Sequence, residues 1–327
     1  MPGPDEFETI ARLFRPLTGG APEAMDLADD AAAIPSRPGF DLVVTKDAVV
    51  EGVHFLPDDP PELVARKLLR VNLSDLAAKG AEPDGYFLAV AWPASWGEAE
   101  RAGFAAGLAE DNAAFGVRLF GGDTVLTPGP FTASLTMLGW TPSGAMVRRN
   151  GARPGQVLLA TGTIGDGGLG LLAAQGRLDG VSEAQRAMLA GRYRLPEPRL
   201  GLREALRAHA AACIDVSDGL IADVIHLEEA GGVAIQIDLE RLPLSPAAKG
   251  WLDLQPDRAA ALCRLAAAGD DYELVLTADV SAALPLAVAA HQAGFALTPI
   301  GRVHEGQGTL VLHQGRPVLV EQAGWRH

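Results

Sequence analysis

The stretch Asp41-Leu42-Val43-Val44-Thr45-Lys46-Asp47-Ala48-Val49-Val50-Glu51-Gly52-Val53-His54-Phe55 organises the chain. Leu42, Val43 and Val44 form an apolar run that suits a strand buried on both faces. The run stops on Thr45, Lys46 and Asp47, three polar groups at the expected carboxyl end of that strand, where ligands bind in α/β sheets. Gly52 follows, then a lone His54 between Val53 and Phe55. Asp47 taken alone also fits a turn. The case for a site rests on other aspartates in comparable places.

A helix over 62–79 is stopped by Gly80 and Pro83. Val64, Leu68 and Val71 share one face, and Asp75 falls on it four residues later. Burying a carboxylate unpaired is costly, so Asp75 is either an ion-pair partner of Lys79 or Arg70, or a metal ligand. A strand over 117–120 ends in Gly121-Gly122-Asp123-Thr124, where glycines let backbone N–H groups approach a ligand closely. Cys213-Ile214-Asp215-Val216-Ser217-Asp218-Gly219-Leu220 repeats the design of a strand ending in acids. Asp218 also fits the cap of the following helix, whereas Asp215 lies inside the apolar strand. Asp29 and Asp30 lead into a short strand at Ile34. They fit an exposed acidic turn, or a place where a cation keeps both ionised.

Outside these stretches, a first helix covers 5–14, with Asp5 as cap and Phe7, Ile10 and Phe14 on one stripe. A strand over 85–92, a helix over 98–115 and an alternating strand over 130–140 follow. Residues 141–155, rich in Pro, Gly and Arg, mark a domain boundary. They contain Arg148-Arg149-Asn150-Gly151, which fits a solvated turn or a phosphate contact. After a strand over 156–160, the run from Gly165 to Gly170 is a literal G-x-G-x-x-G. The acid expected ~20 residues on, at a second strand's end, is missing, so a tight strand–helix turn is the first reading. Helices over 182–192 and 199–209, a strand over 233–239, the Ala268–Leu274 loop running into a strand, a helix over 282–293 and a hairpin turning at Gln314-Gly315 complete the order. Trp325, near the end, fits a packing plug or a ring stacked on a ligand.

The 327 residues suggest two domains of about 150 residues each. Lys and Arg number 27 against 41 Asp and Glu, a balance of −14. Such a chain has no general attraction to nucleic acid or to an anionic membrane, and polyphosphates would reach it through metal ions. Cys213 and Cys263 alone exclude a disulfide scaffold and a Cys-rich metal site. The start lacks the basic and apolar regions of a signal peptide, and no apolar run approaches the ~18 residues of a membrane span. A soluble cytoplasmic protein is expected.

Asp30, Asp47, Asp75, Asp123, Asp215 and Asp218 jointly offer hard oxygen ligands without His or Cys partners, which suits several Mg2+ ions. Carboxylates sharing Mg2+ suit a nucleoside triphosphate substrate.

The chain resembles thiamine-monophosphate kinases, within the superfamily that includes aminoimidazole ribonucleotide synthetase and selenophosphate synthetase. The resemblance is carried by Asp29-Asp30-Ala31, Asp47 through Phe55, Asn72-Leu73-Ser74-Asp75, Gly121 to Thr124, Arg149-Asn150-Gly151, Asp215 to Gly219 and Gly269-Asp270-Asp271-Tyr272-Glu273-Leu274, in this order. It implies an α/β (α+β) fold. It further implies a mixed-sheet domain over 1–145 that would bind Mg-ATP and dimerise, and an α/β domain over 146–327 that would complete the active site. It implies direct transfer of a phosphoryl group from ATP to thiamine monophosphate by a homodimer. By motif match, Asp30, Thr45, Lys46, Asp47, Asp75, Asp123, Asp215 and Asp218 fall on metal positions. Asp47, Asp123 and Asp218 are also taken as catalytic. Gly122, Asp123, Arg149 and Ser217 fall on ATP positions, and His54, Asp270 and Trp325 on substrate positions, with Glu273 as a neighbouring candidate. Two departures stand out: Lys46 replaces a usual hydroxyl residue, and Asp270 a common Glu. Lys46 can ligate through its carbonyl only, and its ammonium either points to solvent or lies among Asp30, Asp47 and Asp75 in place of a metal. The rival readings are another ATP-dependent synthetase of this superfamily, a nicotinamide oxidoreductase and a non-catalytic nucleotide sensor.

Overall fold

The computed structural model describes residues 6–325, which leaves the expected cap Asp5 outside. The chain forms two compact units, one running to Leu76 and including Ala81–Gly144, the other combining Ala77–Gly80 with the chain from Ala145 onward. Among the described residues no helix is long and apolar enough to cross a membrane.

The first unit holds a four-stranded sheet of β1 (Phe40–Val50), β2 (Glu82–Pro93), β3 (Arg118–Thr127) and β4 (Thr132–Pro142), in the order β1-β4-β2-β3. Helix α1 spans Glu6–Thr9, α2 Pro61–Ala78 and α3 Glu98–Phe115. β2 and β3 are parallel, joined through α3, whereas β4 runs antiparallel to both β1 and β2. The expected first helix breaks into α1, a π segment at Ile10–Phe14 and a 3-10 turn at Arg15–Thr18 that takes Pro16 at its start.

Four local expectations are corrected here. Residues 32–37 after Asp30 form no strand. β1 does not stop at Asp47 but continues to Val50, so Thr45, Lys46 and Asp47 sit in mid-strand. β1 is also an edge strand with one covered face: Val43 and Val49 are buried, Leu42 and Val44 exposed. Alternation therefore turns Thr45 and Asp47 to the covered side and Lys46 to the open side. β3 likewise runs straight through Gly121-Gly122-Asp123, which is strand rather than turn. Gly122 pairs with Leu88, and a Cβ there would stand 1.8 Å from the Leu88 carbonyl oxygen, so no side chain fits.

An aromatic cluster fixes β3 from beneath. Trp96 stacks on Phe131 with ring centroids 4.0 Å apart, Phe104 meets Trp92 edge-on, and the Trp92 indole N–H donates to Thr124 Oγ1 at 2.6 Å. The neighbour of Asp123 is thus tied to the core.

The second unit holds β5 (Val157–Thr161), β6 (Ala210–Asp215), β7 (Ala234–Asp238), β8 (Leu274–Ala278), β9 (Leu297–His304), β10 (Gly308–His313) and β11 (Arg316–Pro317) in the order β11-β10-β7-β9-β5-β8-β6. Its helices are α4 (Asp166–Ala174), α5 (Glu183–Arg194), α6 (Arg203–His209), α7 (Leu220–Gly231), α8 (Pro246–Asp253), α9 (Arg258–Ala266) and α10 (Ala283–Gln292). β9, α8 and α9 were not anticipated. α5 begins with a capping box of Ser182 and Gln185, and β10 turns into β11 at Gln314-Gly315. Asp215 ends β6 and is buried.

Candidate active site

In the first unit, β1 and α2 bring Thr45, Asp47 and Asp75 together. Thr45 Oγ1 donates to Asp75 Oδ2, and the Asp47 and Asp75 side chains are hydrogen-bonded. Buried Asn72 braces the pair: its Oδ1 accepts the Asp47 N–H at 3.2 Å while its Nδ2 donates to the Leu68 carbonyl at 2.9 Å. Burial, then the charge of Asp75, push the Asp47 carboxyl up to about 7. The ion-pair alternatives for Asp75 are directed elsewhere: Arg70 donates to Asp111 at 2.7 Å, and Lys79 to the Cys213 carbonyl at 2.8 Å. Lys46 takes the outward of its two expected positions. Its ammonium donates to Ser134 Oγ at 2.8 Å and Thr136 Oγ1 at 3.4 Å on the neighbouring strand. It lies on the opposite face from Asp47, so it cannot supply charge to the acid pair. His54 Nδ1 accepts the Val50 N–H at 3.1 Å, which places any ring proton on Nε2.

A cavity of about 540 Å³ opens in the same unit. Asp29, Asp30, Gly122 and Asp123 form its polar wall, and Phe14, Leu27, Phe87 and Phe120 its apolar wall. Asp123 Oδ1 accepts the Thr124 N–H at 2.8 Å, and the exposed Asp30 extends beside Asp29. Asp30, Gly122 and Asp123, far apart in sequence, therefore face one space.

In the second unit, Val216 to Gly219 form a tight loop between β6 and α7. The carboxylate of buried Asp223, one turn into α7, accepts the N–H groups of Ser217, Asp218 and Gly219 at 3.1, 3.2 and 3.2 Å. Asp218, expected as a cap, is itself held by Asp223. The ligating atoms of Asp218, Asp223 and His226 lie within 4.8 Å of one another. The loop carbonyls accept from other residues: Val216 from Tyr272 N–H at 2.8 Å, Ser217 from Asp270 N–H at 2.9 Å and Asp218 from Trp325 N–H at 2.9 Å. Trp325 is 55% exposed, so it is not a plug. Arg149 is exposed in a single turn beside β6, where Cys213 N–H donates to the Arg148 carbonyl at 3.1 Å.

Glu273 turns into the interior of its unit. It is fully buried, pairs with Arg192 at 2.9 Å and with Arg199, and accepts from Thr161 Oγ1 at 2.7 Å. The glycine run is also filled from within. Gly165 and Gly167 donate to the carboxylate of buried Asp271 at 2.7 and 2.8 Å, so the anion at this helix start is the chain's own. Asp270, just before Asp271, and Tyr272, between Asp271 and Glu273, take left-handed backbone angles, φ +66° and +50°. Sequence reasoning missed Asp223 and Asp271. For Asp223, an acid in the first turn of a helix that follows Asp218 was the available signal.

The donor set of Thr45, Asp47 and Asp75 fits Mg2+: all are hard oxygens, and the proton that burial and Asp75 hold on Asp47 is one a cation can displace.

Residues 28–141 match the AIR synthase related protein, N-terminal domain, and residues 153–313 the AIR synthase related protein, C-terminal domain. The thiamine-monophosphate kinase of Caulobacter vibrioides is 56% identical over 324 residues, covering 99% of this chain and 91% of that protein. The crystal structure of a thiamine-monophosphate kinase from Stenotrophomonas maltophilia superposes with a TM-score of 0.79 at 37% identity, covering 89% of this chain and 91% of that one. AaThiL, solved complexed with AMPPCP and TMP, superposes with a TM-score of 0.78 at 30% identity over 90% and 89% of the two chains. A chain with these acids on these strands, and this likeness along its whole length, belongs to the thiamine-monophosphate kinases of the AIR synthase related family.

Proposed function

We propose that this chain is an ATP-dependent kinase that converts thiamine monophosphate to thiamine diphosphate, with Mg2+ as its metal. A phosphate oxygen of thiamine monophosphate forms a bond to the γ-phosphorus of ATP. The bond from that phosphorus to the β,γ-bridging oxygen breaks, and ADP leaves without a phosphoenzyme. Likeness to the Caulobacter kinase along nearly the full chain carries this reading. Bound Mg2+ supplies charge neutralisation of the phosphates and alignment of donor and acceptor.

Asp30, Thr45, Asp47, Asp75, Asp123, Asp215 and Asp218 are assigned to the metals through side-chain oxygens, and Lys46 through its carbonyl only. Asp47, Asp123 and Asp218 are also assigned as catalytic. Gly122, Asp123, Arg149 and Ser217 are assigned to ATP: the bare Gly122 backbone admits phosphate closely, and Arg149 offers a guanidinium fork. His54, Asp270 and Trp325 are assigned to thiamine monophosphate. We further propose a cytoplasmic homodimer, supported by edge strand β1, which exposes Phe40, Leu42 and Val44.

The test is direct. Purified protein given Mg-ATP and thiamine monophosphate should yield thiamine diphosphate and ADP in equal amounts, and EDTA should abolish both. ADP without thiamine diphosphate would point to another acceptor.

A further inference from the structure

The Val216–Gly219 loop spends its backbone in two directions. Three successive N–H groups converge on one oxygen of Asp223, a nest closed by an internal anion. Three successive carbonyls go outward, each to a different main-chain N–H: Tyr272, Asp270 and Trp325. Asp270 and Trp325 are the residues assigned to thiamine monophosphate, and Ser217 and Asp218 those assigned to nucleotide and metal. Four groups from three distant parts of the chain thus hang on one short loop. Gly219, with φ +126° and the Ala267 carbonyl oxygen 2.6 Å from where a Cβ would stand, leaves the loop no slack at its far end.

We infer that Asp223 is a positioning residue: by holding the Ser217–Gly219 amides it fixes Asp270 and Trp325 on the substrate side to Ser217 and Asp218 on the nucleotide and metal side. This inference rests on the proposed kinase reading for its kinetic arm only. Removing the carboxylate frees the three amides, lets the loop turn and displaces the carbonyls on which Asp270 and Trp325 depend. Substrate and metal then lose their shared frame together.

The test compares Asp223→Ala and Asp223→Asn with the wild type by amide hydrogen exchange on metal-free, ligand-free protein, and by steady-state kinetics. In Asp223→Ala, exchange at Asp270, Tyr272 and Trp325 should accelerate at least ten-fold while β8 stays protected. KM for thiamine monophosphate should rise at least five-fold, and the Mg2+ concentration giving half-maximal rate should rise with it. Asp223→Asn keeps an oxygen acceptor and should restore most of both. Faster exchange confined to Ser217, Asp218 and Gly219, or a changed Mg2+ requirement with unchanged KM for thiamine monophosphate, would overturn the inference. The second result would make Asp223 a simple metal ligand. If Asp223→Ala does not fold, Asp223→Ser takes its place. Loss of β8 protection in both overturns positioning in favour of a fold-wide role. Absence of kinase activity in the wild type sinks the kinase reading and leaves the exchange result to decide the coupling.

Discussion

Asp47 and Asp75 are hydrogen-bonded to each other between β1 and α2, with Thr45 donating to the same Asp75 carboxylate. Two acids this close inside a partly covered site cannot both ionise without help, and Asp47 is the one pushed up to about 7. The sign of the consequence is fixed. Its folded-state value lies above the ordinary 3.8, so the native state holds the extra proton. The stability this proton confers is full below about 4 and is lost as pH rises through about 7. Melting temperature measured against pH in EDTA should therefore fall more steeply over that window in the wild type than in Asp47→Asn. Added Mg2+ should level the wild-type curve, with proton release on binding. Identical curves for the two proteins would remove Asp47 from the account.

Asp75→Asn removes the neighbouring charge that helps raise Asp47. Turnover should fall at least a hundred-fold, while the metal-free protein melts at the same temperature or higher. A large loss of metal-free stability with activity retained would assign Asp75 a structural role.

Lys46→Thr should leave the Mg2+ dependence of the rate unchanged, because the ammonium is bonded to Ser134 and Thr136 on the face away from Asp47. The check is a Mg2+ titration of both forms at fixed ATP. A variant that needs several-fold more Mg2+ would place the lysine charge in the site after all.

Asp270 and Glu273 should separate cleanly. Asp270→Ala is expected to raise KM for thiamine monophosphate with little change in melting. Glu273→Ala removes the buried partner of Arg192 and Arg199 and leaves them only the exposed Glu197, a loss on the order of 3 kcal/mol. Chemical denaturation of both variants decides the matter, and equal stabilities would contradict the buried ion-pair assignment.

Trp325→Ala should raise KM for thiamine monophosphate several-fold and leave KM for ATP nearly unchanged, since ring stacking contributes on the order of 1 kcal/mol. Equal changes in both constants would indicate packing.

The mixed α/β class and most helices were legible because apolar periodicity is local: α3 falls on 98–115, the expected range. Strand ends were not legible where polar residues carry on a strand. Thr45 to Asp47 and Gly121 to Asp123 look like stops in sequence, yet the sheet continues through them because hydrogen bonding to β4 and β2 outweighs side-chain polarity. The grouping of Asp30, Gly122 and Asp123 around one cavity could be suspected from residue type. The fate of Glu273 could not, because Arg192 and Arg199 reach it from 81 and 74 residues away. Lys46 was left between two positions for a simpler reason: strand alternation sends neighbours to opposite faces, and treating mid-strand as strand end hid that alternation.

The Asp271 carboxylate in the Gly165–Gly167 turn bears on how genomes are read. A scan keyed to glycine spacing will keep returning this loop as a dinucleotide binder. The filled turn explains why such hits mislead: the loop has been recruited to recognise an anion supplied by the same polypeptide. In this chain, an aspartate that follows a glycine and an acid and precedes an aromatic and a glutamate, about a hundred residues downstream, is the textual mark of the self-filled turn. Sorting hits by that downstream acid would separate cofactor loops from structural ones before any protein is purified.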